Sequence, residues 1–130
     1  NSGSGISGAI SYPVGVHFHV PHGIAGGITL PSVIRFNVSA GWHGFGPLLS
    51  QIEPIVGLSP EEQSDRFIMA IDRLYDDIRA PRDFSQWGLS SADLDRIAEL
   101  VAPLQGAFDQ NPVPFSGTSD ARALVARHLS

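Results

Sequence analysis

Residues 5–15 read GISGAISYPVG, residues 16–20 read VHFHV and residues 21–37 read PHGIAGGITLPSVIRFN, and this stretch decides the fold. Its prolines and glycines separate two short apolar patterns. Between the two patterns, residues 14–20 alternate polar and apolar side chains, which could form an edge strand. A loop between two helices is the preferred interpretation, because no partner strand is visible elsewhere in the chain.

Two helices are therefore expected in this stretch, one on each side of the loop. The first would run from Ile6 to Tyr12 and end at Pro13, because proline cannot donate a helical hydrogen bond. The second would begin at Pro21, since proline suits the first helical position, and would be kinked at Pro31. Its apolar positions are Ile24, Ile28, Val33 and Ile34.

The clearest helix lies further along the chain. Ser59 can cap its first turn, Pro60 suits its first position, and Glu62 completes a capping box. Pro81 ends the pattern. The predicted apolar stripe is Phe67, Ile71, Leu74 and Ile78.

Three further helices are predicted. One is capped by Ser90, with Asp93 three residues later, and should be kinked or shortened by Pro103. Another follows a cap at Thr118, and a less regular one runs over residues 47–56. Their apolar positions are Leu94, Ile97, Val101 and Leu104; Leu124 and Val125, together with His128; and Leu48, Leu49, Ile52 and Ile55. Several helices without a strand pair predict an all-α helical bundle.

The composition fits one domain over residues 1–130, with a front rich in glycine and histidine (1–47) followed by regular helices (48–130). A hydrophobic fraction of 42% is enough for a core. The net charge of −5 argues against nucleic-acid binding. No apolar run reaches the roughly 18 residues of a membrane span. The chain has no cysteine, which excludes disulfides and thiolate sites and fits a cytoplasmic location.

Three histidines lie close together in the front segment, and their imidazoles could ligate zinc or iron. In an extended chain His17 and His19 share a face, whereas Pro21 turns His22 elsewhere. No carboxylate lies nearby to orient the rings. The alternative is that one histidine is functional and the others lie on a surface loop.

Other patterns carry weaker chemical signals. The segment from Gly23 to Gly26 resembles a degenerate dinucleotide fingerprint, but no strong strand precedes it. Close packing of helices is the alternative explanation for these glycines. The acidic residues of 72–77 are interpreted as a solvated surface, and no nucleophile-elbow motif supports a hydrolase.

Taken together, the segments 5–15 and 21–37 resemble the second signature region of the iron-containing (group III) alcohol dehydrogenases. In that family a helix ending near a Pro-Leu-Gly turn is followed by a Pro-His-Gly helix start, a Leu-Pro kink and an Arg-Phe/Tyr-Asn close. Downstream landmarks follow in the family's order, and the resemblance covers essentially the whole chain. These landmarks are Ile78-Arg-Ala-Pro81, Phe84, Trp87-Gly-Leu89 and Asn111-Pro112.

The resemblance implies which residues would form a site. The family joins an α/β domain that binds NAD(P) to an all-helical domain of the dehydroquinate synthase-like superfamily, and a divalent metal lies between them. One Asp and three His hold that metal. The Asp and the first His would lie upstream of this chain, the second His falls on Gly8, and the last is present as His22. A further family histidine, near the nicotinamide, is replaced here by Tyr12.

The resemblance therefore implies part of an NAD(P)-dependent oxidoreductase for a small alcohol or aldehyde, inactive as an isolated chain. Its cofactors would be NAD or NADP and a divalent metal, iron or zinc. His22 would be a ligand, His17 or His19 could replace lost ligands, and Tyr12 would be catalytic as a proton donor or hydrogen-bond partner, unless it is simply packed.

Its partners would be a nucleotide-binding domain, supplied by another chain or a lost segment, and further copies of itself in a homo-oligomer. The alternative is a non-catalytic helical interaction module, a pseudoenzyme remnant without metal. The loss of the imidazoles at Gly8 and Tyr12 supports that alternative.

Overall fold

A computed structural model describes residues 5–130, and all regular structure in this range is helical. The α-helices are α1 (Gly5–Phe18), α2 (His22–Ser39), α3 (Gly46–Leu49), α4 (Pro60–Asp77), α5 (Leu94–Val101), α6 (Gln105–Phe108) and α7 (Ser119–Ala126). Short 3₁₀ turns cover Ser85–Trp87, Ser91–Asp93 and Ala102–Leu104. The predicted all-α fold is confirmed. Among these residues, no helix combines the length and apolarity needed to cross a membrane.

The main core forms where α1 packs along α2 and where α5 and α7 close over the pair. Its largest fully buried side chains are Phe84, Phe108, Ile6, Ile10, Ile28 and Ile97. A smaller cluster lies where α2 meets α3 and α4, around Ile34, Phe45, Leu49 and Phe67. Residues of α2 contribute to both clusters, so this helix connects them.

The first helix is longer than expected. α1 does not end at Pro13 but continues through it to Phe18. A proline inside a helix costs about 3 kcal/mol. Ile10 and Val14 are fully buried in the core, and burying such side chains contributes roughly 1.5–3 kcal/mol each. The packing of these side chains therefore offsets the free-energy cost of Pro13, which the sequence pattern alone predicted would end the helix.

The second helix confirms the prediction that Pro31 lies inside it. A proline at this position cannot donate to the carbonyl four residues earlier, which is that of Gly27. The hydroxyl of Tyr75, on α4, donates a hydrogen bond of 2.5 Å to the Gly27 carbonyl oxygen. A side chain from a neighbouring helix thus replaces the backbone donor that the proline lacks.

We expect Tyr75→Phe to lower the free energy of unfolding by about 1–3 kcal/mol, because it leaves a backbone carbonyl without its donor. In a Pro31→Ala background the N–H of residue 31 can bind that carbonyl, so the cost of Tyr75→Phe should shrink. Urea denaturation of the four proteins in this cycle measures the coupling. An equal cost in both backgrounds would contradict the assigned role of the hydroxyl.

The start of α4 is as predicted. Ser59 Oγ accepts from the Glu62 amide at 3.1 Å, and Glu62 Oε1 accepts from the Ser59 amide at 2.9 Å. The predicted apolar stripe is partly wrong, because Leu74 and Ile78 are 50% and 63% exposed. The helix instead packs through Ser64, Phe67, Ile71 and Tyr75, a face rotated away from the predicted one.

The helix predicted over residues 47–56 is wrong in extent. Only the four residues of α3 are helical, and turns follow them. Leu49 is buried, whereas Leu48 and Ile52 are exposed. Only Gly46 and Leu49 of this short helix are buried, so little packing is available to offset the cost that Pro54 would impose on a longer helix.

The last two predicted helices are confirmed, with one change. The capping box of Ser90 and Asp93 is present, and the 3₁₀ turn that contains Pro103 follows α5. Thr118 makes no side-chain capping bond at the start of α7. Ser116 takes that role, since its Oγ accepts from the Asp120 amide at 3.0 Å and its own amide donates to Asp120 Oδ2 at 2.9 Å.

Candidate functional site

A shallow groove of about 270 Å³ lies where the second half of α1 meets the start of α2. The three-residue connection 19–21 turns the chain between the two helices. Tyr12 and His22, two of the predicted site residues, both line the groove, and both are exposed. The sequence prediction therefore placed together two residues that the fold also places together.

Ser11 holds the ring of His22. The Ser11 hydroxyl donates to the Gly8 carbonyl at 2.9 Å, so its oxygen is free to accept from His22 Nδ1, which lies 3.1 Å away. With the proton on Nδ1, Nε2 keeps its lone pair for a ligand or a substrate. Ser11 is fully buried, which fixes this contact. It was missed in the sequence, where nothing but its place one turn after Gly8 marks it.

Gly15 allows the connection to close tightly beneath the groove. A Cβ atom at this position would lie 3.1 Å from the Val20 carbonyl oxygen. Any side chain here would push the connection away from α1 and move His22 relative to Tyr12. Of the later glycines, a Cβ at Gly27 would make only an ordinary contact of 4.0 Å with the Tyr75 hydroxyl, and a Cβ at Gly23 or Gly26 would meet no neighbour. Close packing therefore requires glycine at none of these three positions.

His17 and His19 are exposed near the end of α1. Among residues 5–130, no three His, Cys, Asp or Glu side chains lie close enough together to hold a metal ion. The three-histidine cluster considered from the sequence is therefore not assembled. Of the two ligand positions that the resemblance implies within this chain, Gly8 has no side-chain donor, and His22 supplies one imidazole. By themselves they do not fit a metal ion.

His19 has a structural role at the end of α1. Its φ of +60° lies in the left-handed region, and its amide donates to the Gly15 carbonyl at 3.1 Å. Residues with a Cβ adopt this conformation at a cost of about 1–2 kcal/mol, whereas glycine adopts it freely.

We therefore expect His19→Gly to raise the free energy of unfolding by about 0.5–1 kcal/mol, because it relieves the left-handed strain and loses only an exposed ring. Urea denaturation of the variant measures this gain. His17→Gly, inside helical α1, is the control and should cost about 1 kcal/mol. A loss of stability in the His19 variant would show that its imidazole makes a stabilising contact.

A second polar cluster, which the sequence did not indicate, joins α2 to the end of the chain. Ser32 Oγ and His128 Nε2 lie 2.7 Å apart, and His128 Nδ1 lies 2.7 Å from the Arg82 carbonyl oxygen. A carbonyl only accepts, so Nδ1 carries the proton and Nε2 accepts from the serine hydroxyl. Both side chains are buried, and burial lowers the pKa of His128 below its ordinary value.

The acidic stretch 72–77 is not only a solvated surface. Asp72 makes an ion pair with Arg35 on α2 and another with Arg82, whose guanidinium also reaches Asp76 at 3.0 Å. These pairs are half-exposed, so each contributes little to stability. They join α4 to α2 at a distance from the groove, and they give no reason to place chemistry there.

Comparison with known proteins shows which family and which solved structure the chain resembles. The sequence profile of the Fe-containing alcohol dehydrogenase family, C-terminal region, matches residues 1–123. No curated protein matches the chain. A solved structure described as 1,3-propanediol oxidoreductase is similar, with a TM-score of 0.79 and 28% sequence identity over 95% of this chain. The match covers 32% of that protein, so the chain spans about a third of its length.

Proposed function

The chain belongs to the Fe-containing alcohol dehydrogenase family, and on this premise we propose that it is part of the helical region of an NAD(P)-dependent oxidoreductase for alcohols or aldehydes. The observation that carries the proposal is the contact between Ser11 and His22. It fixes an exposed imidazole, with Nε2 free, in the same groove as the phenol of Tyr12. Two groups that can bind a substrate oxygen thus share one accessible surface.

The two side chains would have different roles. The Tyr12 hydroxyl would donate a hydrogen bond to the substrate oxygen, and His22 Nε2 would accept from the hydroxyl of an alcohol substrate or bind a metal. NAD or NADP would supply or accept the hydride. A divalent metal, iron or zinc, would need ligands beyond residues 5–130 in addition to His22.

The proposal extends to the partners of this chain. A nucleotide-binding domain, in another chain or another segment, would form the opposite wall of the site and bind a small alcohol or aldehyde against Tyr12. Without that wall the chain would be inactive. The exposed side chains of Tyr12, Val16 and Ile24 near the groove favour association with such a partner or with further copies. A cytoplasmic location would fit the absence of cysteine.

The metal-binding part of the proposal is tested on the chain combined with the domain that would supply the other ligands. After loading of the combined protein with Fe²⁺ or Zn²⁺ and desalting, we expect His22→Ala to retain at least about tenfold less metal than the parent protein, as removal of a ligand requires. His17→Ala, which removes another exposed imidazole, should retain as much as the parent protein. Elemental analysis measures both variants. A similar loss in both variants would place the metal elsewhere.

The catalytic part is tested by assaying the chain with NADH and an aldehyde. No turnover is expected from the chain alone, and turnover would contradict the need for a second wall. The competing function is a non-catalytic interaction module, which is favoured by the missing donor at Gly8. A combined protein that stays metal-free after loading would support this second function against the first.

A further inference from the structure

A second cavity, of about 370 Å³, lies between α2, α4 and the loop that follows α2, and we call it the Asn37 cavity. Asn37 follows His22 by 15 residues on the same helix. At a helical rise of 1.5 Å per residue, the two lie roughly 22 Å apart. The cavity is therefore separate from the groove at His22, and its volume falls within the range of small-molecule sites.

Three aromatic side chains form one wall of the Asn37 cavity. Phe45 stacks on Phe67 with ring centroids 4.6 Å apart, and Trp42 meets Phe45 edge to face at 4.8 Å. The Trp42 amide donates to the Asn37 carbonyl at 2.9 Å. Next to it, His43 Nδ1 lies 2.7 Å from Ser64 Oγ on α4. The loop is thus fixed at two points, so the aromatic wall is formed before any ligand arrives.

The lining of the Asn37 cavity has no formal charge, because none of its twelve residues is Asp, Glu, Lys, Arg or His. A charged ligand entering this cavity would lose its hydration without gaining an opposite charge. The lining therefore selects for a neutral ligand with an apolar body, which the aromatic wall can contact.

Three side-chain amides contribute to the polar part of the lining, those of Asn37, Asn111 and Gln110, and the first two bond to each other. Asn111 Nδ2 donates to Asn37 Oδ1 at 2.6 Å and to the Val113 carbonyl at 3.0 Å, so both of its protons are used. Asn37 Nδ2 donates one proton to Asn111 Oδ1 at 3.2 Å. Its second proton has no acceptor among residues 5–130, although only 5% of Asn37 is exposed. A ligand oxygen would satisfy it.

We propose that the Asn37 cavity binds a small neutral molecule that has an apolar body of about one ring and a single carbonyl or hydroxyl oxygen. An apolar cavity of about 150 Å³ can hold benzene, so a ring with one substituent fits the volume here. The oxygen accepts from Asn37 Nδ2, and the ring packs on Trp42 and Phe45. The site is independent of the proposed redox reaction, since it shares no residue with the groove at His22.

The test is an NMR titration of the ¹⁵N-labelled chain with benzyl alcohol, toluene and benzoate. The indole N–H of Trp42 reports on the cavity, and that of Trp87, which packs against the main core, is the internal reference. We expect benzyl alcohol to shift the Trp42 signal and the Asn37 amide signals and to leave Trp87 unchanged. Toluene, which lacks the oxygen, should bind about three- to tenfold more weakly. Benzoate should produce no shift.

Two matched variants locate the binding site. Leu48 lines the cavity and is 57% exposed, so Leu48→Glu adds a charge to the lining without disturbing the core. Leu74 is 50% exposed and lies outside the lining, which makes Leu74→Glu the control. We expect Leu48→Glu to weaken benzyl alcohol binding about three- to tenfold, because it replaces an apolar contact with a solvated carboxylate at the edge of the cavity, and Leu74→Glu to leave it unchanged.

Three outcomes would overturn the proposal. The first is equal shifts at Trp42 and Trp87, and the second is binding of benzoate as tightly as of benzyl alcohol. The third is a Trp42 signal that depends on protein concentration but not on benzyl alcohol, which would mean that a second copy of the chain covers the cavity. None of these outcomes depends on metal binding or turnover, so failure here leaves the proposed redox function untouched.

Discussion

Replacing Phe108 with alanine is expected to lower the free energy of unfolding by about 3–5 kcal/mol. The side chain is fully buried, with its ring centroid 5.2 Å from that of Phe115. The backbone also packs closely against it, because a Cβ at Gly117 would lie 3.1 Å from Phe108 Cδ2. Such a tightly packed site cannot collapse readily around a deletion, so the variant should keep most of the cavity.

Urea denaturation of Phe108→Ala measures this loss against a total stability of about 5–15 kcal/mol for a domain of this kind. Phe108→Leu, with a smaller expected loss, keeps the measurement possible if the alanine variant does not fold. Leu74→Ala removes an exposed apolar side chain and should change stability by less than about 0.5 kcal/mol. A loss below about 1 kcal/mol for Phe108→Ala would show that the core is loosely packed.

Replacing His128 with alanine is expected to cost about 2–4 kcal/mol, the second large effect. The imidazole is 8% exposed and joins the Ser32 hydroxyl to the Arg82 carbonyl. Its removal leaves the buried Ser32 hydroxyl and the Arg82 carbonyl without this hydrogen bond and also leaves a cavity. Ser32→Ala removes only one of the two contacts and should cost less. An equal cost for both variants would mean that the Ser32–His128 hydrogen bond accounts for all of the stabilisation.

The same histidine makes stability depend on pH. Burial lowers the pKa of His128 in the folded state below its ordinary value of 6.5, so the unfolded chain binds the proton more readily. The stabilisation is therefore complete above about pH 6.5 and is lost as the pH falls from there towards the folded-state pKa. Arg127 adds to the lowering, whereas the carboxylate of Asp83 and the bond to Arg82 oppose it.

The pH dependence can be separated from that of other groups by comparison with His128→Gln. Carboxyl groups such as those of Glu62 and Asp83, whose pKa values are lowered by hydrogen bonds from Ser59 and Ser85, lose their stabilisation at lower pH in both proteins. Unfolding measured between pH 5 and pH 8 should show a steeper decline for the parent chain. Parallel curves would mean that His128 does not titrate differently on folding.

The parts of the fold that could be predicted are those encoded by neighbouring residues. The caps at Ser59 and Ser90 form within three residues of sequence, and both are present. Tyr12 and His22 were identified because the motif around them has fixed spacing, and the groove contains both. Their chemical roles stay predictions, because the geometry of the groove does not by itself show what either side chain binds.

The parts that could not be predicted depend on contacts between distant residues. α1 continues beyond Pro13 because side chains of this helix pack into the main core, which offsets the cost of the proline. Leu74 stays exposed because α4 meets α2 on another face. Ser32 and His128 are separated by 96 residues, so no local pattern links them. In the sequence alone, neither Ser32 nor His128 can be told apart from any other serine or histidine in a helical segment.

The bond between Tyr75 and the Gly27 carbonyl has an evolutionary consequence. A lineage that acquires proline at position 31 before a hydroxyl reaches this carbonyl passes through a less stable intermediate, whereas the reverse order does not. Positions 31 and 75 should therefore vary together among descendants of a common ancestor, with phenylalanine at 75 tolerated mainly where residue 31 is not proline. An alignment in which the two positions vary independently would count against this linkage.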